Sequence, residues 1–288
     1  MKRNQTLVPL VFLGFLILAN VLIWQRALAA EGSGVLKVYF LDIGQGDAAL
    51  IESPTGHQLL IDGGPGGVVL SQLSQVLPYT DHTIDAILAT HPDQDHIGGL
   101  PDVLAHYDVG LALISGVADS GSDNRALTAA IAEEGLAPVL TRRGMVLDLG
   151  GGVHLQILFP DRDVTNVETN TGSIVARLTY GNTSYFFTGD SPQAIEKYLV
   201  SIEDADYPLH SDVLKVGHHG SKTSSSEEFI TAVEPTYAVV SVGLNNKYGH
   251  PNQETLNTLS SEHTKTLRTD EQGRIEIDSD GSHLTVRQ

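Results

Sequence analysis

A mixed α/β fold, built as one domain of two similar β-rich halves with helices outside, is the class this sequence predicts. Three observations carry it. Short apolar runs are separated by glycine-rich turns, helix-length segments fall between several of them, and no low-complexity linker or long charge run follows residue 34. A length of 288 residues with 41% hydrophobic content is enough to bury a substantial core.

Residues 35–41, 48–52 and 58–61 read as strands, with turns at 42–47 and 53–56 between them. Apolar alternation bounded by Gly, Pro and Asp is the signal used. Asp62-Gly63-Gly64 ends the third strand, and a helix is predicted over 68–77, before Pro78. Residues 84–89 form a buried-strand pattern, 90–95 a loop, and His96 opens a helix that runs to about Tyr107. Strands at 111–114 and 153–159 flank a helix at 124–134. The second half repeats the style with strands at 173–179, 184–188, 212–216 and 237–242. Helices at 191–200, 226–233 and 252–261 lie between or after them, and terminal strands fall around 266, 274–277 and 283–286.

The first thirty residues read as an export segment. Lys2-Arg3 precede an apolar stretch from Leu7 to Trp24, and Ala27-Leu28-Ala29-Ala30 follow Gln25-Arg26. The small-residue pattern suits cleavage of a signal peptide, whereas the run exceeds a usual signal core of ~7–15 residues and approaches the ~20 that span a bilayer. Both fates stay open, with Arg26 favouring a retained membrane anchor. Because Lys2 and Arg3 keep the N-terminus inside, the body (34–288) is expected to be extracellular, periplasmic or anchored to the outer face of the cytoplasmic membrane.

The formal charge is −18, and removing the three cations of the first thirty residues leaves a body near −21. Such a field excludes a broad basic face, so any nucleic acid would be held by local cations and bound metal. The absence of cysteine excludes disulfides, thiolate zinc sites and cysteine nucleophiles. Metal ligands must be His, Asp or Glu.

His91-Pro92-Asp93-Gln94-Asp95-His96 places four metal-competent side chains in six positions at the end of a predicted strand. Open α/β sheets put their sites there. His91 and Asp93 can turn to one point and Asp95 and His96 to a neighbouring one, which suits two cations sharing a pocket. The structural alternative is an Asp-rich capping loop with Asp95 as helix N-cap.

This run, followed by Gly98-Gly99-Leu100, resembles the His-x-His-x-Asp-His signature of the metallo-β-lactamase superfamily, with Asp93 at the second histidine. Further motifs look like the hydrolase domain of the ComEC/Rec2 competence proteins. They are Phe40-Leu41-Asp42-Ile43-Gly44-Gln45-Gly46-Asp47, Leu60-Ile61-Asp62-Gly63-Gly64, Thr188-Gly189-Asp190, Leu214-Lys215-Val216-Gly217-His218-His219-Gly220-Ser221 and Tyr248-Gly249-His250-Pro251. Together they cover about residues 35–270. The resemblance implies a four-layer αββα sandwich, with the site along the edge between the sheets.

It also implies ligand roles. His91 and Asp93 would serve a first metal, Asp95 and His96 a second, with Asp190 bridging and His218 completing the second site. His219 would then stand behind the ligands or touch substrate, and Asp62 would hold a ligating histidine's other nitrogen. By residue type alone, Asp62 is a turn residue and Asp190 a helix N-cap before Ser191-Pro192. Asp42 and Asp47 flank a Gly-x-Gly turn, with Asp47 able to face the pocket. One departure stands out, because the third histidine expected between His96 and Asp190 has no counterpart. His106 falls in a predicted helix, His154 in a strand, and Asn170-Thr171-Gly172-Ser173 offers weaker ligands. A half-carboxylate set admits manganese or magnesium beside zinc. Two divalent ions, Zn or Mn, are therefore expected, the first more weakly held.

Lys215, Lys222, Asn245, Lys247, Tyr248 and His250 gather after the last metal motif, a local reversal of sign. Lys222, Tyr248 and His219 are the expected substrate contacts, and His250 the group that protonates a leaving oxygen. The bland alternative is a solvated loop. Ser221 and the 224–226 serines read as cap and loop. The resemblance implies a metal-dependent phosphodiesterase or DNA nuclease in which a metal-bound hydroxide, oriented by Asp95 or Asp190, attacks phosphorus. A phosphodiester, DNA included, and the membrane through an uncleaved N-terminal segment are the expected partners, with no protein partner. Rivals are a hydrolase of small or cell-wall phosphoesters, a β-lactam hydrolase disfavoured by Asp93, and a noncatalytic metal-binding envelope protein.

Overall fold

The computed structural model describes Gly14 and residues 34–287. Apart from Gly14, the export segment expected over 1–30 lies outside the described residues. Among the described residues, no helix is long and apolar enough to cross a membrane.

The first part of the chain forms β1 (Leu36–Phe40), β2 (Ala49–Glu52), β3 (Gln58–Ile61), α1 (Val68–Val76), β4 (Thr83–Ile84) and β5 (Ala86–Ala89). It continues with α2 (Gln94–Ile97), α3 (Leu100–His106), β6 (Asp108–Val109), β7 (Ala112–Ile114), α4 (Ser122–Glu133) and β8 (Val139–Leu140). Then come β9 (Val146–Asp148), β10 (Val153–Phe159), a 3₁₀ turn (Asn170–Gly172), β11 (Val175–Tyr180), β12 (Thr183–Phe187) and α5 (Gln193–Ser201). The rest is β13 (Val213–Lys215), a second 3₁₀ turn (Gly217–Gly220), α6 (Glu227–Val233), β14 (Tyr237–Val240) and α7 (Gln253–Ser261). It ends with β15 (Lys265–Arg268), α8 (Thr269–Gln272), β16 (Ile275–Ser279) and β17 (Leu284–Arg287). One sheet runs β17-β16-β1-β2-β3-β5-β7-β8, the other β15-β14-β13-β12-β11-β10-β9, and β4 pairs with β6 separately.

Period-two alternation builds the layers. Leu36, Val38 and Phe40 of β1 turn between the sheets, where they join Tyr185 and Phe187 of β12. The rings of Phe40 and Phe187 stack there at 6.1 Å. Tyr39 and Leu41 turn the other way, onto Leu73 of α1, Val103 of α3 and Leu127 of α4. Beyond the second sheet, Phe186, Leu214 and Val240 meet Leu199 of α5, Phe229 of α6 and Leu259 of α7. Three apolar cores therefore separate helices, sheet, sheet and helices, which is the expected αββα sandwich.

As expected, the two halves make one domain, and β16 returns to pair antiparallel with β1, placing Leu36 opposite Ser279. One detail differs from the sequence reading. The helix expected from His96 onward is two helices, and the first starts at Gln94, so Asp95 as well as His96 rides on a helical turn. The break falls at Gly98-Gly99, which lies against the backbone after β3. A Cβ on Gly99 would stand 2.2 Å from Gly63 O. The short elements β4, β6, β8, β9 and α8 have no counterpart in the sequence reading, being too brief to show a period.

The parallel strands position the site. In the first sheet β3, β5, β7 and β8 run parallel, and in the second β12, β13, β14 and β15 do. Asp62 follows β3, His91 follows β5, Asp190 follows β12, and His218 and His219 follow β13. All arrive at carboxyl ends of strands, at one edge of the sandwich.

Candidate metal centre

Asp62 sits directly after β3 with a positive φ of 57°. Its carboxylate accepts from Thr90 N at 2.8 Å and Thr90 Oγ1 at 2.7 Å, and His96 Nδ1 meets its Oδ2 at 2.8 Å. A carboxylate on Nδ1 fixes the proton there and leaves Nε2 to face the site. His96 Nε2 lies 3.2 Å from Asp190 Oδ1. The position expected of Asp62, behind a histidine, is where the structure puts it.

His219 is held similarly from the other side. Its Nδ1 lies 3.0 Å from Ser241 O and 3.2 Å from Asp47 Oδ1. Its Nε2 stands 3.3 Å from Asp95 Oδ2 and 3.6 Å from Asp190 Oδ2. Asp47 in turn pairs through Oδ2 with the buried Lys215 Nζ at 2.7 Å. The turn carrying Asp47 is pressed onto the α2 backbone, with Asp47 N donating to Asp95 O at 3.0 Å. Gly46, at φ 136°, allows that approach, since a Cβ there would meet Asp95 O at 2.1 Å.

His91 and His96 bring their rings to 4.1 Å, and His91 Nε2 lies 3.7 Å from Asp93 Oδ2. The stretch expected near the missing third histidine does reach the site. Thr169 hydrogen-bonds Asp93, and Ser173 Oγ accepts from Asp190 N at 3.3 Å. Hydroxyls stand there in place of an imidazole.

Charge in the cluster is strongly biased. Burial works against the His96 imidazolium, but Asp190 and then Asp62 outweigh it and hold its pKa well above the ordinary range. His219, with burial again opposing and Asp190 and Asp47 prevailing, is pushed up to about 9. Burial, reinforced by the charge of His96, pushes His91 down to about 4. Burial alone would raise Asp190 and Asp47. His96 and His219 hold Asp190 well below the carboxylate range, and Lys215 and His219 do the same for Asp47. Burial raises Asp93, which has no cation paired as closely.

The ligand atoms of His91, His96 and Asp190 lie within 4.8 Å of one another, as do those of Asp95, His96 and His219, and of Asp47, Asp190 and His219. His91 Nε2 is buried without a hydrogen-bond partner, and the equally buried His96 Nε2, His219 Nε2 and Asp190 Oδ1 have only close carboxylate–imidazole contacts within the cluster, none of good hydrogen-bond geometry. Buried polar atoms are seldom left so, and three imidazole nitrogens converging on a carboxylate are the donor set a divalent ion would satisfy. The residues present fit a metal.

The two adjacent histidines both reach Asp190 but differ in burial. His218 is partly exposed, its Nδ1 is 3.2 Å from Thr223 Oγ1, and its Nε2 is 3.6 Å from Asp190 Oδ2. His219 is the buried one, aimed between Asp95 and Asp190. Left-handed backbone at both residues, with φ of 49° and 53°, turns neighbouring side chains to different sides. Lys222 is exposed, with its carbonyl oxygen engaged by Gln193, whereas Lys215 is spent on Asp47 and is not a surface phosphate contact. Tyr248 is 58% exposed and stacks at 5.9 Å on His250. His250 lies 5.6 Å from the His218 ring and keeps an unpartnered Nδ1. Burial, then His218, lowers its pKa. Thr90 escaped the sequence reading, although its place directly before His91 was a usable signal.

A family profile described as the metallo-beta-lactamase superfamily matches residues 41–243, a span holding every residue of the cluster. The chain belongs to the metallo-beta-lactamase superfamily. Within this superfamily of metallo-hydrolases, it is 34% identical to ComE operon protein 3 of Bacillus subtilis over 86% of this chain and 33% of that protein. It is 30% identical to competence protein ComA of Neisseria gonorrhoeae over 91% of this chain and 35% of that protein. The chain thus spans about a third of the length of these relatives. Among solved structures, it resembles the metallo-beta-lactamase fold protein YhfI from Bacillus subtilis, with TM-score 0.56, 14% identity, and coverage of 85% of this chain and 99% of that one. It also resembles CmlA, a diiron β-hydroxylase from Streptomyces venezuelae, with TM-score 0.54, 14% identity, and coverage of 88% and 54%. At these identities, the likenesses to metallo-beta-lactamase structures show the fold alone.

Proposed function

We propose that this chain is a metal-dependent phosphodiesterase of the DNA-nuclease type. The observation that carries the metal requirement is the set of buried nitrogens of His91, His96 and His219 around Asp190, none with a well-formed hydrogen bond. The motifs shared with competence proteins support the phosphodiester, and Asp93 at a histidine position argues against lactam hydrolysis.

His91 and Asp93 would hold one divalent ion, and Asp95, His96 and His219 another, with the Asp190 carboxylate between the two groups. His218 stands at the more open side. When bound, such ions polarise the phosphoryl group and acidify water towards a pKa of ~7. The chain's own residues do the rest. Asp62 and Asp47 fix the two imidazoles, and Asp95 accepts a proton from the attacking water. His250, beside His218, is assigned the leaving oxygen, and because its lowered pKa favours the neutral ring, its proton donation is expected to strengthen as the pH falls. Tyr248 and Lys222 lie on exposed loops where substrate is met. The net charge of −18 favours a second reading, a hydrolase of small or cell-wall phosphoesters, since it repels a long polyanion.

The test has two arms. Protein purified without chelator is assayed for divalent metal, and its absence sinks the metal reading. Linear and plasmid DNA are then digested with Mn²⁺ or Zn²⁺ beside a chromogenic phosphodiester. Cleavage of DNA, reduced about 100-fold or more in Asp95→Ala, is expected. Cleavage of the small ester alone favours the second reading. The outward location proposed from residues 1–30 is tested by a phosphatase reporter fused after the domain, which is active only outside the cytoplasm.

A further inference from the structure

His91 and Pro92 do more than border the metal centre, since they also wall a cavity of about 210 Å³. The opposite wall is one face of α4, where Leu127 and Ile131 are apolar and Asn124 and Thr128 polar at helical spacing. The loop after β7 closes a third side and includes Ser115. Beside that loop, Arg142 Nη1 donates to Ser115 O and to Thr141 O, both at 2.7 Å. Two carbonyls thus fix the guanidinium, and Nε and Nη2 carry further N–H donors. Asp163 is an acidic neighbour, held low first by its own Thr165 hydrogen bonds, with Arg142 contributing least.

An apolar slot sharing a wall with the metal centre, with a fixed cation at its side in a chain of charge −18, complements a ligand that is both ring-bearing and anionic. We propose that this cavity receives the nucleobase next to the bond that is cut, while Arg142 takes the neighbouring phosphate. The substrate class is then nucleotide phosphodiesters, and the inference rests on the phosphodiesterase reading above. Pockets that take a base combine apolar faces above and below the ring with a few polar atoms at its edge. Pro92, Leu127 and Ile131 supply faces of that kind, and Asn124 and Thr128, whose donors serve Asp119 O and Asn124 O, offer their side-chain oxygens as acceptors at the edge. A polar sugar or a short aliphatic ester would leave the apolar wall unused.

Thr128→Trp tests the slot, because Thr128 is exposed on its helix and a large ring there fills the mouth without entering the core. In the kinetic arm, p-nitrophenyl thymidine 5′-phosphate is compared with methyl p-nitrophenyl phosphate. Wild type is expected to favour the base-bearing ester in kcat/KM by about tenfold, and Thr128→Trp to bring that ratio near one. A ratio that the substitution leaves unchanged overturns the inference. In the binding arm, calorimetry on metal-loaded protein compares thymidine 5′-phosphate with 2-deoxyribose 5-phosphate. The base is expected to add about tenfold in affinity, lost in Thr128→Trp, and the second phosphate of thymidine 3′,5′-bisphosphate is expected to add affinity that Arg142→Ala removes. Equal affinity for the two ligands in wild type rejects the slot. If wild type cuts neither ester but still prefers the nucleotide, the phosphodiesterase reading fails while the cavity assignment stands.

Discussion

His96 and His219 approach the same carboxylate, Asp190, from opposite sheets, and each has a second carboxylate at its back. The two supports are chemically unlike. Behind His96, Asp62 is tied by the neutral donors Thr90 N and Thr90 Oγ1, both within the first sheet. Behind His219, Asp47 reaches from the β1–β2 turn across to Lys215 at the end of β13, so a buried charge pair joins the sheets. His219 also keeps a neutral partner, since Ser241 O lies 3.0 Å from its Nδ1. The first support therefore governs which nitrogen of His96 carries the proton, and the second governs whether a buried charge is matched. Stability and metal affinity should come apart along this line.

The largest effect is expected at Lys215. Lys215→Met leaves the buried Asp47 with His219 as its remaining cationic partner, and breaking a buried ion pair from one side costs about 3–5 kcal/mol, so a loss of about 3 kcal/mol is expected. Urea unfolding of the metal-free protein measures it. Asp47→Asn in the Lys215→Met background removes that carboxylate charge, so the double variant should be more stable than Lys215→Met alone. If Lys215→Met shifts the unfolding free energy by less than ~1 kcal/mol, the pair is not acting as a buried charge pair and the contrast with Asp62 collapses.

Metal affinity should rank the supports in the reverse order. In Asp62→Asn, Thr90 N still requires an oxygen at Oδ1, which places the amide nitrogen against His96 Nδ1. That amide donates, the imidazole proton moves to Nε2, and the nitrogen facing Asp190 is blocked as a ligand. Loss of a partner behind a ligating histidine typically costs 10–100-fold in affinity, and Asp62→Asn is expected near about 100-fold. In Asp47→Asn, Ser241 O still holds the His219 tautomer, so the loss is expected near about tenfold. Competition against a chromophoric chelator reads both values. Equal losses would show that the Ser241 carbonyl does not set the tautomer.

How much of this was legible in the sequence follows the same division. Strand period and glycine turns expose a one-domain α/β class and the His91-to-His96 run a metal candidate, because apolar alternation and ligand spacing are local properties, whereas the αββα sandwich and the role of Asp190 came through the family resemblance. Asp62 was legible as a supporting residue through its motif. Which of His218 and His219 is the buried one was not, since two adjacent positive-φ residues set their directions and no residue type announces them. The pairing of Lys215 with Asp47 was not legible either, because the two lie far apart in sequence and meet only when the sheets are stacked. The split between α2 and α3 depends on Gly99 lying against Gly63, which is again a contact between distant segments.

The smallest expected effect lies at Thr90. Its hydroxyl gives Asp62 one hydrogen bond of 2.7 Å and stands 3.0 Å from His91 Nδ1. Thr90→Val keeps the shape and the backbone donor, leaving one buried carboxylate oxygen short of a partner, at a cost of about 1–3 kcal/mol. Because His96 Nδ1 still donates to that oxygen, the His96 tautomer and its side of the metal centre should persist. His91 loses its only neighbour of this kind among its described contacts, so the ion it serves should weaken first. Metal titration of Thr90→Val is therefore expected to show one tight and one weakened equivalent. Uniform weakening of both would mean that Asp62 cannot hold His96 without the threonine hydroxyl, and that the two supports differ less than their geometry indicates.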